Sequence, residues 1–272
     1  TLIVAVSQSG ETMDTLMATR YAKEQGAKVL AICNTQGATL ARESDAVIYT
    51  HAGPEVAVAS TKALTAQITA GFLLALFLGA GREKLSTTEL RNLGLELLKM
   101  PAHVTEVIEN LDLARKLGKE MANAKSVLFL GRNVGFPIAM EGALKLKELA
   151  YIHAEGFAAG ELKHGPIALI EEGQPVIVIV PSQRDEESLH PKVISNIQEI
   201  RARGAKVIAI AEEGDKQVAD YAEHVIFVPQ SESMFAPILT VIPLQIFALE
   251  LSTAKGLDVD QPRNLAKSVT VE

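Results

Sequence analysis

Short apolar runs alternate along this chain with longer stretches of helix formers. Leu2 to Val6 is rich in β-branched residues and has no polar interruption, the pattern of a strand buried on both faces of a parallel sheet. Good helix formers follow from Thr12 to Gly26, and the strand pattern returns at Val29 to Cys33 and Asp45 to Tyr49. Ile68 to Gly81 reads as an apolar helix, and Ser86-Thr87-Thr88-Glu89 is a capping box that opens another. Beyond it the pattern predicts a helix from about Ala102 to Ala122 and a strand over Ser126 to Leu130. A loop from Gly131 to Gly135, a helix entered at Pro137, a strand over Val176 to Val180 and an apolar helix over Met234 to Leu251 complete the series.

Alternating strands and helices of this kind form parallel sheets covered by helices on both faces, the doubly wound α/β class. The pattern also repeats. Gly26-Ala27-Lys28-Val29-Leu30-Ala31-Ile32 recurs as Gly204-Ala205-Lys206-Val207-Ile208-Ala209-Ile210, and Asp45 to Tyr49 recurs as Glu223 to Phe227, both 178 residues on. Two matches at one spacing indicate a duplicated unit. Two domains are therefore expected, residues 1–100 and 101–272, with the boundary near Met100-Pro101. The second unit has a helix, a strand and a helix before the strand that matches Leu2 to Val6. The first is expected to lack that opening, which makes the chain a fragment of a longer protein.

Composition narrows the class. With 48% hydrophobic and 22% charged residues in 272, and no low-complexity tract, the chain reads as soluble and globular. A net charge of -7 argues against nucleic acid or an anionic membrane as partner. The single cysteine, Cys33, lies in an apolar run and is expected to be a buried thiol, so no internal disulfide is possible. With no signal peptide in view, the cytoplasm is the expected compartment. The apolar stretch Ile68 to Gly81 is short for a membrane span, and Met234 to Leu251 is interrupted by Pro237, Pro243 and Gln245. Both are expected to be buried in the core or in a subunit interface.

Candidate chemistry begins where the first strand ends. Ser7, Gln8, Ser9 and Thr12, around Gly10, place hydrogen-bonding side chains at a strand-to-helix turn, where free backbone N–H groups and the helix dipole favour an anion such as phosphate. A single capping serine would account for only one of them. The second copy has Pro181-Ser182-Gln183-Arg184 and then Asp185, Glu186 and Glu187, carboxylates that suit a helix N-terminus but repel phosphate. In the helix after Pro137, Glu141, Lys145 and Glu148 share one face, either as a solvated ion-pair stripe or as acid-base groups near the sheet's carboxyl end. His164, between glycine-rich sequence and Gly165-Pro166, is expected in a loop spanning 154–166, where a histidine can exchange protons near neutrality. Lys267 would ordinarily be solvated so near the end, yet an amine held neutral could form an imine with a sugar carbonyl. No metal-ligand spacing stands out.

Five segments together resemble the sugar-isomerase (SIS) half of the glutamine–fructose-6-phosphate aminotransferases, or glucosamine-6-phosphate synthases. They are SQSGET at Ser7 to Thr12, VASTKA at Val58 to Ala63, EGALKLKE at Glu141 to Glu148, AEGFAAGELKHGP at Ala154 to Pro166, and DQPRNLAKSVTVE at Asp260 to Glu272. The first is common to phosphosugar-binding SIS domains; the last three are the discriminating ones. The resemblance implies two tandem SIS units and a cofactor-free conversion of fructose 6-phosphate and glutamine-derived ammonia to glucosamine 6-phosphate, with glucose 6-phosphate as a further sugar ligand. It implies that Ser7, Gln8, Ser9 and Thr12 hold the phosphate, with Val58, Ser60 and Ala266 near the sugar. Lys267 would form the imine, Glu148 move the proton between C1 and C2 with help from Lys145, and His164, from the neighbouring subunit of a homodimer, open the ring. The family also carries an N-terminal glutaminase domain with a nucleophilic cysteine, which this chain is expected to lack. Competing expectations are a related SIS-domain fructosamine-phosphate deglycase or amino-sugar-phosphate deaminase/isomerase, and a non-catalytic phosphosugar sensor.

Overall fold

A computed structural model describes residues 1–185 and 187–268; Glu186 of the second copy's acidic run and residues 269–272 of the tail motif lie outside the described residues. The chain forms two compact units, Thr1–Asn92 with the tail from Asp260, and Leu93–Val259. This departs from the expected division in two respects. The boundary near Met100-Pro101 falls inside one continuous helix, because Pro101 removes a single backbone donor without ending it. The tail, expected with the second unit, packs on the first through a bond from Val58 N–H to the Asp260 carbonyl at 3.0 Å.

In the first unit, β1 (Leu2–Ser7), β2 (Lys28–Cys33) and β3 (Ala46–Tyr49) run parallel in the order β1-β2-β3, with Leu2 opposite Lys28 and Ser7 opposite Cys33. Helices α1 (Met13–Glu24), α2 (Thr39–Glu43) and α3 (Lys62–Gly81) follow the three strands in turn. Ala5, Leu16, Val29, Ala31 and Leu40 form the core. Strand β1 is not buried on both faces as its composition predicts: Leu2, Val4 and Val6 are exposed. Ile3 and Ala5 on one face pack into the core, whereas Leu2, Val4 and Val6 lie on the other face, so within this unit one face alone meets the core. Helix α3 starts earlier than expected and is mostly half-buried in this unit, with Ala63 and Ala70 buried but Leu73 and Phe77 open. By length and composition it could cross a membrane.

Helix α4 (Thr87–Glu109) opens on the expected capping box, in which Ser86 N–H donates to Glu89 Oε2 at 2.7 Å and Glu89 N–H donates to Ser86 Oγ at 3.2 Å. The single helix predicted over 102–122 is instead the end of α4 and a separate α5 (Asp112–Glu120).

The second unit is built on five parallel strands in the order β5-β4-β6-β7-β8: β4 (Ser126–Gly131), β5 (His153–Ala158), β6 (Pro175–Ile179), β7 (Lys206–Glu212) and β8 (His224–Val228). On one face Leu128, Leu130, Val176, Val178, Val207 and Ala209 pack against Val193, Ile197 and Ile200 of α7 (His190–Arg201). The alternate residues Val127, Phe129, Ile177 and Ile208 are also buried, so these strands are covered on both faces as parallel strands require. Helix α6 (Gly135–Lys145) packs on β4 and β5, and α9 (Ala236–Ala254) packs on α5 and α6. Although α9 is also apolar and long enough to cross a membrane, it is largely buried in its unit. The short α8 (Lys216–Ala219) precedes β8. Strands β2 and β3 recur as β7 and β8, each starting 178 residues later, as the repeat predicts.

Residues 154–158, expected as loop, form most of β5. Gly156 is there for packing rather than for a turn: a Cβ would stand 2.7 Å from the Met140 Cα, so only glycine lets β5 pass this close to α6.

Gly10 is the sharpest backbone requirement in the first unit. Its φ is +68°, and a Cβ would stand 2.6 Å from Ala38 Cβ and 2.8 Å from Cys33 Sγ. Gly26 has a similar φ of +81° but open space around it. Gly10→Ala is expected to cost about 2–4 kcal/mol from backbone strain plus overpacking, and Gly26→Ala only about 1–2 kcal/mol from strain alone. Urea denaturation midpoints at unchanged slope measure the difference.

Candidate active site

Each parallel strand of the first unit ends on the same edge of its sheet, where open α/β folds carry their ligands. Ser7 closes β1. Its Oγ accepts from Gly10 N–H at 2.9 Å, and Ser9 Oγ accepts from Glu11 N–H at 3.2 Å. Both oxygens shape the turn while each hydroxyl keeps its own hydrogen to donate. Thr12 occupies the N-cap position of α1, yet its side chain makes no capping bond. Helix capping therefore does not explain this group of side chains.

Glu11 is held elsewhere: its Oε1 accepts from Thr39 N–H at 2.7 Å, at the start of α2. That backbone bond, reinforced by the Thr39 hydroxyl, holds the Glu11 carboxyl below the usual carboxylate range. Cys33 is fully buried as expected, and burial pushes its thiol up.

A chain of hydrogen bonds then crosses the unit's edge. The Gln8 carbonyl accepts from Asn34 N–H at 3.2 Å. The Asn34 side chain accepts from Thr50 Oγ1 and from Ala52 N–H, each at 2.9 Å, and donates to the Gly53 carbonyl at 2.9 Å. Two residues later Glu55 takes over. Its Oε1 accepts from Thr61 N–H at 2.7 Å and Thr61 Oγ1 at 2.9 Å, and its Oε2 from Ser60 Oγ at 3.2 Å. Lys267 arrives from the tail, its Nζ 3.6 Å from Glu55 Oε2 and donating to the Ala57 carbonyl at 2.6 Å. Burial alone would raise the Glu55 carboxyl, but the bonds from Thr61, the Lys267 charge and the Ser60 hydroxyl outweigh it and hold the group low.

So Val58, Ser60 and Lys267 come together on one loop, and the Ser7 turn joins that loop through Asn34. Ala266 precedes Lys267 and is itself exposed. Sequence reasoning missed both connectors. Asn34 directly follows a buried strand, the position where a ligand-edge residue is expected; Glu55 stands alone among small and apolar residues, which is the one available hint.

In the second unit, α6 continues into a π-helical turn, Leu146–Ala150, that carries Glu148. Lys145 is 3% exposed, with Nζ 2.5 Å from Glu148 Oε2 and 3.3 Å from Glu141 Oε1. The solvated-stripe reading fails here, because the lysine is buried between its two carboxylates. His164 ends a 3-10 turn, Ala159–His164, and is exposed. The second copy's turn is closed on itself. Ser182 Oγ donates to Glu212 Oε2 at 2.7 Å, and Arg184 pairs with Glu212 and donates to the Ser231 carbonyl at 2.8 Å. His190, without a partner predictable from sequence, is buried with Nε2 2.7 Å from Asp215 Oδ2. Among the described residues no group of three or more His, Cys, Asp or Glu is placed to hold a metal ion.

The SIS domain family matches residues 1–78 and 120–255. Glutamine–fructose-6-phosphate aminotransferase [isomerizing] of Corynebacterium glutamicum is 65% identical over 272 residues, all of this chain and 44% of that protein. The Leifsonia xyli protein of the same name is 66% identical, again over 44% of its length. The chain thus spans less than half the length of these relatives. Among solved structures, the C-terminal domain of glucosamine-fructose-6-phosphate aminotransferase from Francisella tularensis superposes with a TM-score of 0.91 at 39% identity, covering 96% of this chain and 73% of that one. A glucosamine-6-phosphate deaminase from Thermotoga maritima shares the fold, with a TM-score of 0.73 at 24% identity over 98% of this chain and 75% of that one.

Asn34→Ala removes three side-chain bonds from the loop at 50–53 and is expected to cost about 1–3 kcal/mol. Native-state hydrogen exchange should show faster exchange at the Ala52 amide, with Val29 and Ala31 in β2 still protected.

Proposed function

The chain belongs to the SIS domain family, alongside the glutamine–fructose-6-phosphate aminotransferases, and from that premise we propose that it is the isomerase part of such an enzyme. In this reading it converts fructose 6-phosphate and ammonia to glucosamine 6-phosphate without a cofactor. The ammonia comes from glutamine through a glutaminase domain of the full-length protein, in the cytoplasm.

Ser7, Gln8, Ser9 and Thr12 hold the sugar's phosphate, and Val58, Ser60 and Ala266 line the sugar. His164, supplied by the second copy of a homodimer, opens the ring. Lys267 attacks the freed C2 carbonyl and forms a protonated imine with loss of water; ammonia then adds at C2 and displaces the lysine amine, leaving a C2 imine that acidifies the hydrogens on the neighbouring carbon. Glu148 moves a proton between C1 and C2, and Lys145 steadies its carboxylate. Anchoring the phosphate keeps those carbons in place throughout, which removes much of the entropic barrier.

The observation that carries this reading is the setting of Lys267. Its amine is bound to the Ala57 carbonyl beside Ser60 and Glu55, rather than free in solvent as a lysine near a chain end usually is. A phosphosugar sensor would need the Ser7 turn but has no use for such a lysine, nor for one buried between Glu141 and Glu148.

Lys267→Ala in the full-length enzyme is expected to lower glucosamine 6-phosphate formation by at least about a thousandfold while sugar-phosphate binding weakens by less than about tenfold. Turnover close to wild type would exclude the imine. For Ser9→Ala the expectation is about tenfold weaker sugar-phosphate binding, one charge-assisted hydrogen bond, with stability changed by less than about 1 kcal/mol. Calorimetric titration with glucose 6-phosphate and a urea melt separate the two effects; lost stability with unaltered binding would make Ser9 a turn residue only.

A further inference from the structure

We propose that Glu55 is the positioning residue and counter-ion for the reacting amine of Lys267, an inference that rests on the imine reading above. The two oxygens of this carboxylate have different tasks. Oε1 accepts from Thr61 N–H and Thr61 Oγ1, at 2.7 and 2.9 Å, and thereby closes the loop before α3. Oε2 faces Ser60 Oγ at 3.2 Å and Lys267 Nζ at 3.6 Å. Closing the loop requires only one acceptor oxygen, and a neutral glutamine would supply it. A side chain that is 3% exposed pays heavily in desolvation for a full charge, so stability alone gives no reason for a carboxylate here.

The chemistry gives one. Imine formation begins with an ammonium and ends with an iminium, so the positive charge at Nζ is the same before and after. In between, Nζ gives up one proton to become a nucleophile, forms a bond to C2, and passes a second proton to the former carbonyl oxygen. The carbinolamine hydroxyl then leaves with one added proton, as water, when the C–O bond breaks. The step balances if the proton is stored nearby and returned. Solvent water can take that proton and give it back, while Glu55 Oε2 offsets the charge on nitrogen at both ends of the step. Since 3.6 Å exceeds hydrogen-bond reach, the resting amine is tied only to the Ala57 carbonyl among its described partners, and one hydrogen bond must break for it to turn toward a carbonyl carbon. The Ser60 hydroxyl, bound to the same oxygen, is oriented by the same group.

The test uses the full-length protein as wild type, Glu55→Gln, Glu55→Asp and Lys267→Ala. Each is incubated with fructose 6-phosphate and borohydride, the reduced adduct on the Lys267 peptide is quantified by mass spectrometry, and kcat, KM and Tm are measured. Glu55→Gln keeps an oxygen for Thr61 and loses the charge. It is expected to lose kcat and adduct by about thirtyfold, with KM within about threefold and Tm nearly unchanged. Glu55→Asp, which keeps the charge on a shorter stem, is expected to retain more adduct than Glu55→Gln. Wild-type adduct with Glu55→Gln within threefold of it in kcat and trapping overturns the proposal while leaving the imine intact. If Glu55→Gln does not fold, a Glu55→Asp protein that folds but traps no more than Lys267→Ala overturns it instead. Absence of any wild-type adduct overturns the imine reading and this inference together.

Discussion

Where three parallel strands stop, their last backbone groups still need partners, and in the first unit the loops supply them to one another. The Gln8 carbonyl takes bonds from Asn34 N–H, Thr35 N–H and the Thr35 hydroxyl, and the Cys33 carbonyl takes one from Thr50 N–H at 3.0 Å. The Gly10 carbonyl accepts from Leu40 N–H at 3.0 Å. Several of these groups are half-buried, so moving one loop costs bonds on its neighbour. The Ser7 turn is thereby fixed from outside itself. Its own serine oxygens add only local bonds to the backbone, which leaves their hydrogens for a ligand.

The duplicated unit solves the same problem with charge. Asn34 and Glu212 correspond, 178 residues apart, each at the end of the second strand of its repeat. In the first unit a neutral amide bridges two loops. In the second a carboxylate binds Ser182, Arg184 and Ser231 N–H, and those bonds hold it below the usual range despite its burial. The guanidinium thus sits within the turn, and the cavity beside it holds only about 90 Å³. Capping has changed hands as well: α2 starts on Glu11 from the first turn, whereas α8 is capped by its own Asp215, which also binds Gln183 and His190. A turn whose hydroxyl and cation are already committed to a carboxylate has little left for a phosphate, which is why the two turns, alike in position, differ as candidate anion sites.

What could be read from sequence follows from which signals are local. The β2 and β8 strands, the capping box at Ser86 and the duplication are written in contiguous residues. The misreadings all depend on neighbours. Strand β1 has the composition of a two-sided strand but packs on one face only within its unit; Pro101 signals a break where α4 continues; and Gly156 and Gly160 disguise a strand and a turn as loop. Among candidate site residues, the Ser7 turn was legible because four hydrogen-bonding side chains crowd one turn. Lys267 was legible only through the resemblance of its motif. Asn34 and Glu55 left only faint hints, a position after a buried strand and a lone charge, since what they do is join segments that are distant in sequence.

The two buried or half-buried lysines also show how surroundings divide chemical roles. Lys145 is bound by carboxylates on two sides, at 2.5 and 3.3 Å, on a rigid helix and its π-helical extension. Its hydrogens are spent on Glu141 and Glu148, and freeing it would leave two carboxylates facing each other without their cation, a cost of several kcal/mol. Such a lysine is tied to its carboxylates on both sides. Among its described partners, Lys267 has one carbonyl in hydrogen-bond reach and one carboxylate just beyond it. Turning away costs it one bond while a counter-charge stays in place. Of the two amines, Lys267 is the less tightly held, and that difference follows from the residues around each rather than from lysine itself.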